Sequence, residues 1–94
     1  MSITVLLPRT LMSVAGGQRT LLVESASCGC VTDVLDSVGG RYPLLARRIR
    51  DETGAVRRYV NVYLDGEDIR QLDGIATAVG DGQQLRVIQS VAGG

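Results

Sequence analysis

Ninety-four residues make one domain with a single modest core, and that core is aliphatic, because Phe and Trp are absent and the aromatics are Tyr42, Tyr59 and Tyr63. Ten basic and ten acidic residues cancel, which argues against nucleic acid and against an electrostatic membrane anchor; no apolar run is long enough to span a bilayer. Histidine is absent as well, so no Ser-His or Cys-His nucleophile pair and no His metal ligand can form within the chain.

Ser2 to Leu7 reads as a first strand, with Ile3, Val5 and Leu7 on one face and Pro8 as its stop. Met1-Ser2-Ile3-Thr4 lacks the charged start of a signal peptide, so a cytoplasmic protein is expected. Arg9 to Arg19 reads as a turn region hinged at Gly16-Gly17, and Thr20 to Glu24 as a second strand that completes an N-terminal hairpin. Ser25-Ala26-Ser27 looks like a helix entry with Ser27 as the N-cap. Val31, Val34, Leu35 and Val38 follow at i, i+3, i+4 and i+7, the stripe of an amphipathic helix. Gly39-Gly40 stands where a left-handed C-terminal cap belongs, and Pro43 opens a second short helix through Leu44, Leu45 and Ile49.

Asp51 to Gly54 is a polar loop. Tyr59 to Leu64 alternates with Val60, Val62 and Leu64 inward, and Asp65-Gly66 signals a hairpin. Glu67 to Arg70 reads as a short edge strand, and Leu72 to Val79 as a less regular segment. Gly80-Asp81-Gly82 turns the chain into a last strand around Leu85 to Gln89. The order is ββα, an insert, then ββ. It predicts an α+β fold, with a mixed sheet packed on one main helix and the first and last strands parallel at its centre.

Beyond that strand comes Val91-Ala92-Gly93-Gly94. The expected division is a folded unit over 1–90 and a flexible tether over 91–94. A diglycine end puts a backbone carboxylate on a thin support with no side chains, suited to entry into another protein's active site. All ten basic residues are arginine, so the chain has no ε-amine and cannot accept an isopeptide bond from its own kind except at its N-terminus. Cys28-Gly29-Cys30 lies at the predicted helix start, where a thiol pKa is lowered and a redox or sulfur-relay role is conceivable. Two semi-buried small residues are the plainer interpretation. Arg47, Arg48, Arg50, Arg57 and Arg58 make the insert basic, while Asp65, Glu67, Asp68 and Asp73 make the next hairpin acidic. Either they are solvated faces or they are complementary docking patches. Tyr59, Asn61 and Tyr63 are expected on the sheet face away from the helix, as partner-docking candidates.

Taken together, the Ile3-to-Leu7 strand, the helix stripe, Val60-Asn61-Val62-Tyr63, Ala78 to Gly82 and the Val-Ala-Gly-Gly ending resemble the ubiquitin-like β-grasp sulfur carriers of the MoaD/ThiS superfamily. The length, the insert from Pro43 to Arg58 and the run from Arg58 to Arg70 are most similar to the CysO-like carriers of cysteine biosynthesis. One departure is Gln89-Ser90, where relatives commonly carry a Pro. The resemblance implies a carrier and not an enzyme, with no catalytic residue, metal or bound cofactor of its own. It implies that an E1-like adenylyltransferase/sulfurtransferase uses ATP and magnesium to adenylate the Gly94 carboxylate, and that sulfur replaces AMP to leave a thiocarboxylate. A sulfur-accepting synthase then consumes it, and in the cysteine pathway a metalloprotease releases the product. The alternatives implied are the small subunit of molybdopterin synthase and a ubiquitin-like protein modifier.

Overall fold

A computed structural model describes residues 1–89. The expected tether over 91–94, with Gly94, lies outside the described residues. Alternation over Ser2–Leu6 (β1) and Thr20–Glu24 (β2) buries Ile3, Val5, Leu21 and Val23 on one face of an antiparallel hairpin. Gln84–Gln89 (β5) lies parallel to β1, with Thr4 opposite Gln84 and Leu6 opposite Arg86. Its other edge pairs antiparallel with Val60–Leu64 (β3), from Val60 opposite Gln89 to Leu64 opposite Leu85. Glu67–Asp68 (β4) completes a five-stranded sheet in the order β2-β1-β5-β3-β4. This is the mixed β-grasp sheet predicted from sequence, with the first and last strands at its centre.

The main helix, Val31–Arg41 (α1), turns Val31, Val34, Leu35 and Val38 onto the sheet. Its entry differs from expectation. Ser25–Ser27 forms a 3₁₀ turn, and the N-cap is Cys30, not Ser27. The cause is Asp33, whose Oδ2 accepts from the backbone N–H of Gly29 at 2.8 Å and of Cys30 at 3.2 Å. A carboxylate in the first turn satisfies donors that a helix start leaves open. These bonds, Gly29 first and then Cys30, hold the Asp33 carboxyl below the ordinary range of an aspartate. A carboxylate with a depressed folded pKa stabilises the fold above its unfolded pKa, and loses that contribution as pH falls through the folded value. Asp33→Ala is therefore expected to melt below the parent at neutral pH. The gap in melting temperature closes as the pH is taken down through the depressed folded value; thermal melts across pH read this directly.

The helix exit also differs. Gly39 and Gly40 both lie inside α1, and neither adopts positive φ. The break comes at Tyr42, because Pro43 disfavours helical geometry in the residue before it and occupies the first position of Pro43–Ile49 (α2). Gly39 serves packing instead. A Cβ there would lie 2.9 Å from the Ala46 Cβ of α2, whereas one at Gly40 would meet nothing within 4 Å. The two glycines should consequently respond with opposite sign. Gly40→Ala is expected to stabilise by about 0.5–1 kcal/mol through helix propensity. Gly39→Ala is expected to destabilise by about 1–3 kcal/mol through forced separation of the helices, and adding Ala46→Gly should restore stability. Chemical denaturation of the three variants checks the order.

Two further segments are more structured, or end sooner, than predicted. Arg9 to Arg19 is not only a turn: Arg9–Val14 forms a 3₁₀ helix that buries Leu11, with Ala15 buried just after it. The edge strand stops at Asp68, whose carboxylate accepts from Arg70 N at 2.9 Å and starts a 3₁₀ turn that buries Ile69. The Asp65-Gly66 hairpin is as predicted, with φ of 49° and 86°, the left-handed pair a two-residue turn requires. Asp65 then accepts from Gln84 N at 2.9 Å, tying this hairpin to the start of β5. No helix among the described residues is long and apolar enough to cross a membrane.

Candidate functional site

The part of the site that can be described is its base. β5 carries the chain toward residues 91–94 from between β1 and β3; its backbone pairs with β1 from Gln84 to Arg86 and with β3 as far as Gln89. Leu85 and Val87 are buried at 0% and 1% exposure on the helix side. At the strand's last residue, Gln89 stands opposite Val60, and its Oε1 accepts from Thr10 Oγ1 at 2.8 Å. The last residue of β5 is thus held by two segments distant in sequence, β3 and the Arg9–Val14 turn.

The alternation that buries Leu85 and Val87 turns Arg86 and Ile88 to the other face. Register places Arg86 between Leu6 of β1 and Tyr63 of β3. Ile88 is 39% exposed and Leu22 of β2 is 58% exposed. Clefts of about 320 Å³ and 380 Å³ flank this row; the first includes Leu6, Pro8, Arg19 and Ile88, the second Tyr63, Gln84 and Ile88, and Arg86 lines both. An arginine set among Leu6, Tyr63 and Ile88 can receive a partner carboxylate framed by apolar surface.

Of the three docking candidates drawn from sequence, Tyr63 belongs to this row. Asn61 lies on β3, opposite Ile88, and its Oδ1 accepts from Arg70 Nη2. Tyr59 precedes β3, is half-buried and packs against the core cluster, so its ring is committed to the fold. Leu6, Leu22, Arg86 and Ile88 are absent from the sequence-derived set. Their signal is present in the chain: Leu22 and Ile88 are apolar residues at the outward phase of strands whose inward phase is already apolar.

Cys28 is buried and Cys30 half-buried, both as free thiols. Burial, reinforced by the charge of Asp33 and by Cys30, pushes the Cys28 thiol above its ordinary value, the opposite of what an activated nucleophile needs. No group of three or more His, Cys, Asp or Glu that could hold a metal occurs among the described residues. The basic insert is partly neutralised locally. Arg50 pairs with Asp36 at 2.6 Å, and Arg57 Nε donates to the Arg47 carbonyl at 2.7 Å.

Comparison with known proteins matches this chain to the ThiS family over residues 5–94. The sulfur carrier protein CysO of Mycobacterium tuberculosis is 33% identical over 96 residues, covering 100% of both chains. Small archaeal modifier protein 3 of Haloferax volcanii is 38% identical over 78 residues, covering 83% of this chain and 84% of the archaeal one. Among solved structures, the crystal structure of the Amycolatopsis orientalis BexX/CysO complex contains a chain that superposes with a TM-score of 0.80 at 33% identity. It covers 98% of this chain and 99% of that one.

Proposed function

Because this chain belongs to the ThiS family of ubiquitin-like sulfur carriers, we propose that its working group is the carboxylate of Gly94. A free carboxylate is a poor electrophile. An E1-like partner transfers AMP from ATP to it, releasing pyrophosphate and leaving a mixed anhydride with an electrophilic carbon. A sulfur nucleophile expels AMP, and the product is a thiocarboxylate whose sulfur is nucleophilic. A sulfur-accepting synthase then takes that sulfur for cysteine or another sulfur-containing metabolite. In the cysteine branch the amino acid forms on Gly94, and a metalloprotease releases it. ATP and magnesium belong to the activating partner.

The observation that carries this proposal is the combination of family and placement. The diglycine end follows β5, the strand paired on both edges at the centre of the sheet. The carrier's own chain supplies an unhindered acyl carbon, because glycine has no Cβ, and a base that does not yield when the end is drawn into a channel. The Leu6, Leu22, Tyr63, Arg86 and Ile88 face supplies the docking area, with Arg86 setting orientation and on-rate. A CysO has been crystallised in complex with BexX, which supports a carrier that works by complex formation. The test is intact mass after incubation with the activating partner, ATP and a sulfur source. The expected result is the O-to-S mass difference on the C-terminal peptide, and its absence with a competent partner would sink the proposal.

A second reading has its own support, since one relative is a small archaeal modifier protein. The same activated carboxyl passed to an amine gives an amide conjugate in place of a thiocarboxylate. Even then, a chain without lysine cannot build isopeptide chains on itself. Conjugates on other proteins would favour this reading.

A further inference from the structure

The helices do not cover the whole inner face of the sheet. α1 packs chiefly against α2, then against the Gly74–Ala76 turn and β2, and α2 packs against the Arg9–Val14 turn. The flank of β3 is roofed by the loop after α2 and by the 3₁₀ turns after β4. A cleft of about 300 Å³ remains there, at the lower end of the range for binding pockets. Its floor is apolar, from Val60, Val62 and Ile69, with Val56 and Ile75 beside them. Arg57, Arg58 and Arg70 stand among its walls.

The three guanidinium groups are not equivalent. Arg70 Nε lies 3.7 Å from Asp68 Oδ1 and its Nη2 donates to Asn61, so its charge is answered within the fold. Arg57 donates through Nε to the Arg47 carbonyl at 2.7 Å, which commits one of its nitrogens within the fold. Arg58 is exposed and has neither a hydrogen bond nor an ion pair among the described residues. An apolar floor beside one unanswered positive charge, with a second only partly answered, fits one kind of occupant: an aliphatic side chain with a carboxylate next to it.

We infer that this cleft is a second docking site, for a partner segment in which a leucine or isoleucine is flanked by Asp or Glu. The branched side chain packs on the half-buried Val56 and Ile75, above the buried Val62 and Ile69, and the carboxylate meets Arg58 and the free end of Arg57. Val60 and Val62 face the helix side of the sheet and Arg86 faces the other. A partner holding the Arg86 face therefore leaves this cleft open, and the two surfaces can be engaged together. Such bivalence raises the effective concentration of a catalyst near the carrier without a stronger single contact.

The test needs no sulfur chemistry, so its failure and that of the Gly94 proposal are distinguishable. The ¹⁵N-labelled protein is titrated with an acetylated, amidated hexapeptide of sequence Glu-Asp-Leu-Ile-Glu-Asp, and with its Gln/Asn counterpart. The expected result is saturable shifts of amides in 55–58 and 69–75, binding in the range of about 0.1–1 mM, and much weaker binding of the neutral peptide. Arg58→Glu, which breaks no described contact, should weaken binding at least about fivefold with the melting temperature unchanged. Absence of saturable shifts, shifts centred on Leu6 and Arg86, or equal affinity in the Arg58→Glu variant would each overturn the inference.

Discussion

Deleting Gly94, or replacing it with valine, is expected to leave the melting temperature where it was and to abolish loading with sulfur. The first half follows from position: Gly94 lies beyond β5, and all of the core described above is built from residues within 3–87. The second half follows from what an adenylating channel must do. It brings the carboxylate oxygen within bonding distance of the α-phosphorus of ATP, where misplacement by an ångström costs about 100-fold in rate. Deletion retracts the carboxylate by one residue, about 3.3–3.6 Å of extended chain. Valine keeps the length but puts a branched Cβ beside the reacting carbon and restricts the backbone angles that Gly93-Gly94 leave open. Pyrophosphate release in the presence of the activating partner, with intact mass as the second readout, should fall by at least about 100-fold for both variants. A truncated protein that is still adenylated would place the reactive group elsewhere.

The next expected result comes from two neighbours on β5 that point to opposite faces. Leu85 is fully buried, opposite Val5 and Leu64 in the sheet. Leu85→Ala removes three carbons from the centre of an aliphatic core and leaves a cavity, a change that costs about 2–5 kcal/mol. In a domain this small that lowers the melting temperature by roughly 10–30 °C. The Arg86 side chain makes no ion pair or hydrogen bond among the described residues and is exposed. Arg86→Glu should melt within a degree or two of the parent, yet raise the KM for the activating partner by about 10-fold or more, with the larger loss at low salt. Melting curves and activation kinetics on the same two proteins separate the roles. An Arg86→Glu protein with unaltered KM would remove the open sheet face from the docking scheme.

Much of this architecture is legible in the chain because it is written in local periodicity. Val60, Val62 and Leu64 alternate, Val31, Val34, Leu35 and Val38 repeat at helical spacing, and Asp65-Gly66 admits a turn that few other pairs allow. Errors arise where a local signal has two physical uses. Gly39-Gly40 has the composition of a helix stop, but Gly39 is small so that α2 can approach, and Pro43 does the stopping. Ser27 has the chemistry of an N-cap, but the Asp33 carboxylate reaches Gly29 and Cys30 and sets the start three residues later. Leu11 and Ala15 sit beside a glycine pair, so their spacing reads as turn until α2 is seen to pack against them.

Composition and pattern by themselves determine that this protein has no histidine chemistry, no amine-bearing side chain, an aliphatic core, and strands with one inward and one outward face. They also determine the phase of each strand, since a period of two assigns every side chain to one side or the other. What they leave open is which residues meet across strands distant in the chain. Only the tertiary structure sets β5 between β1 and β3, brings Leu6, Arg86 and Tyr63 into one row, and gathers Arg57, Arg58 and Arg70 around Val62 and Ile69. Those neighbours are far apart in the chain. Their meeting depends on long-range pairing and on how the helices leave the flank of β3 uncovered, and no local periodicity encodes either.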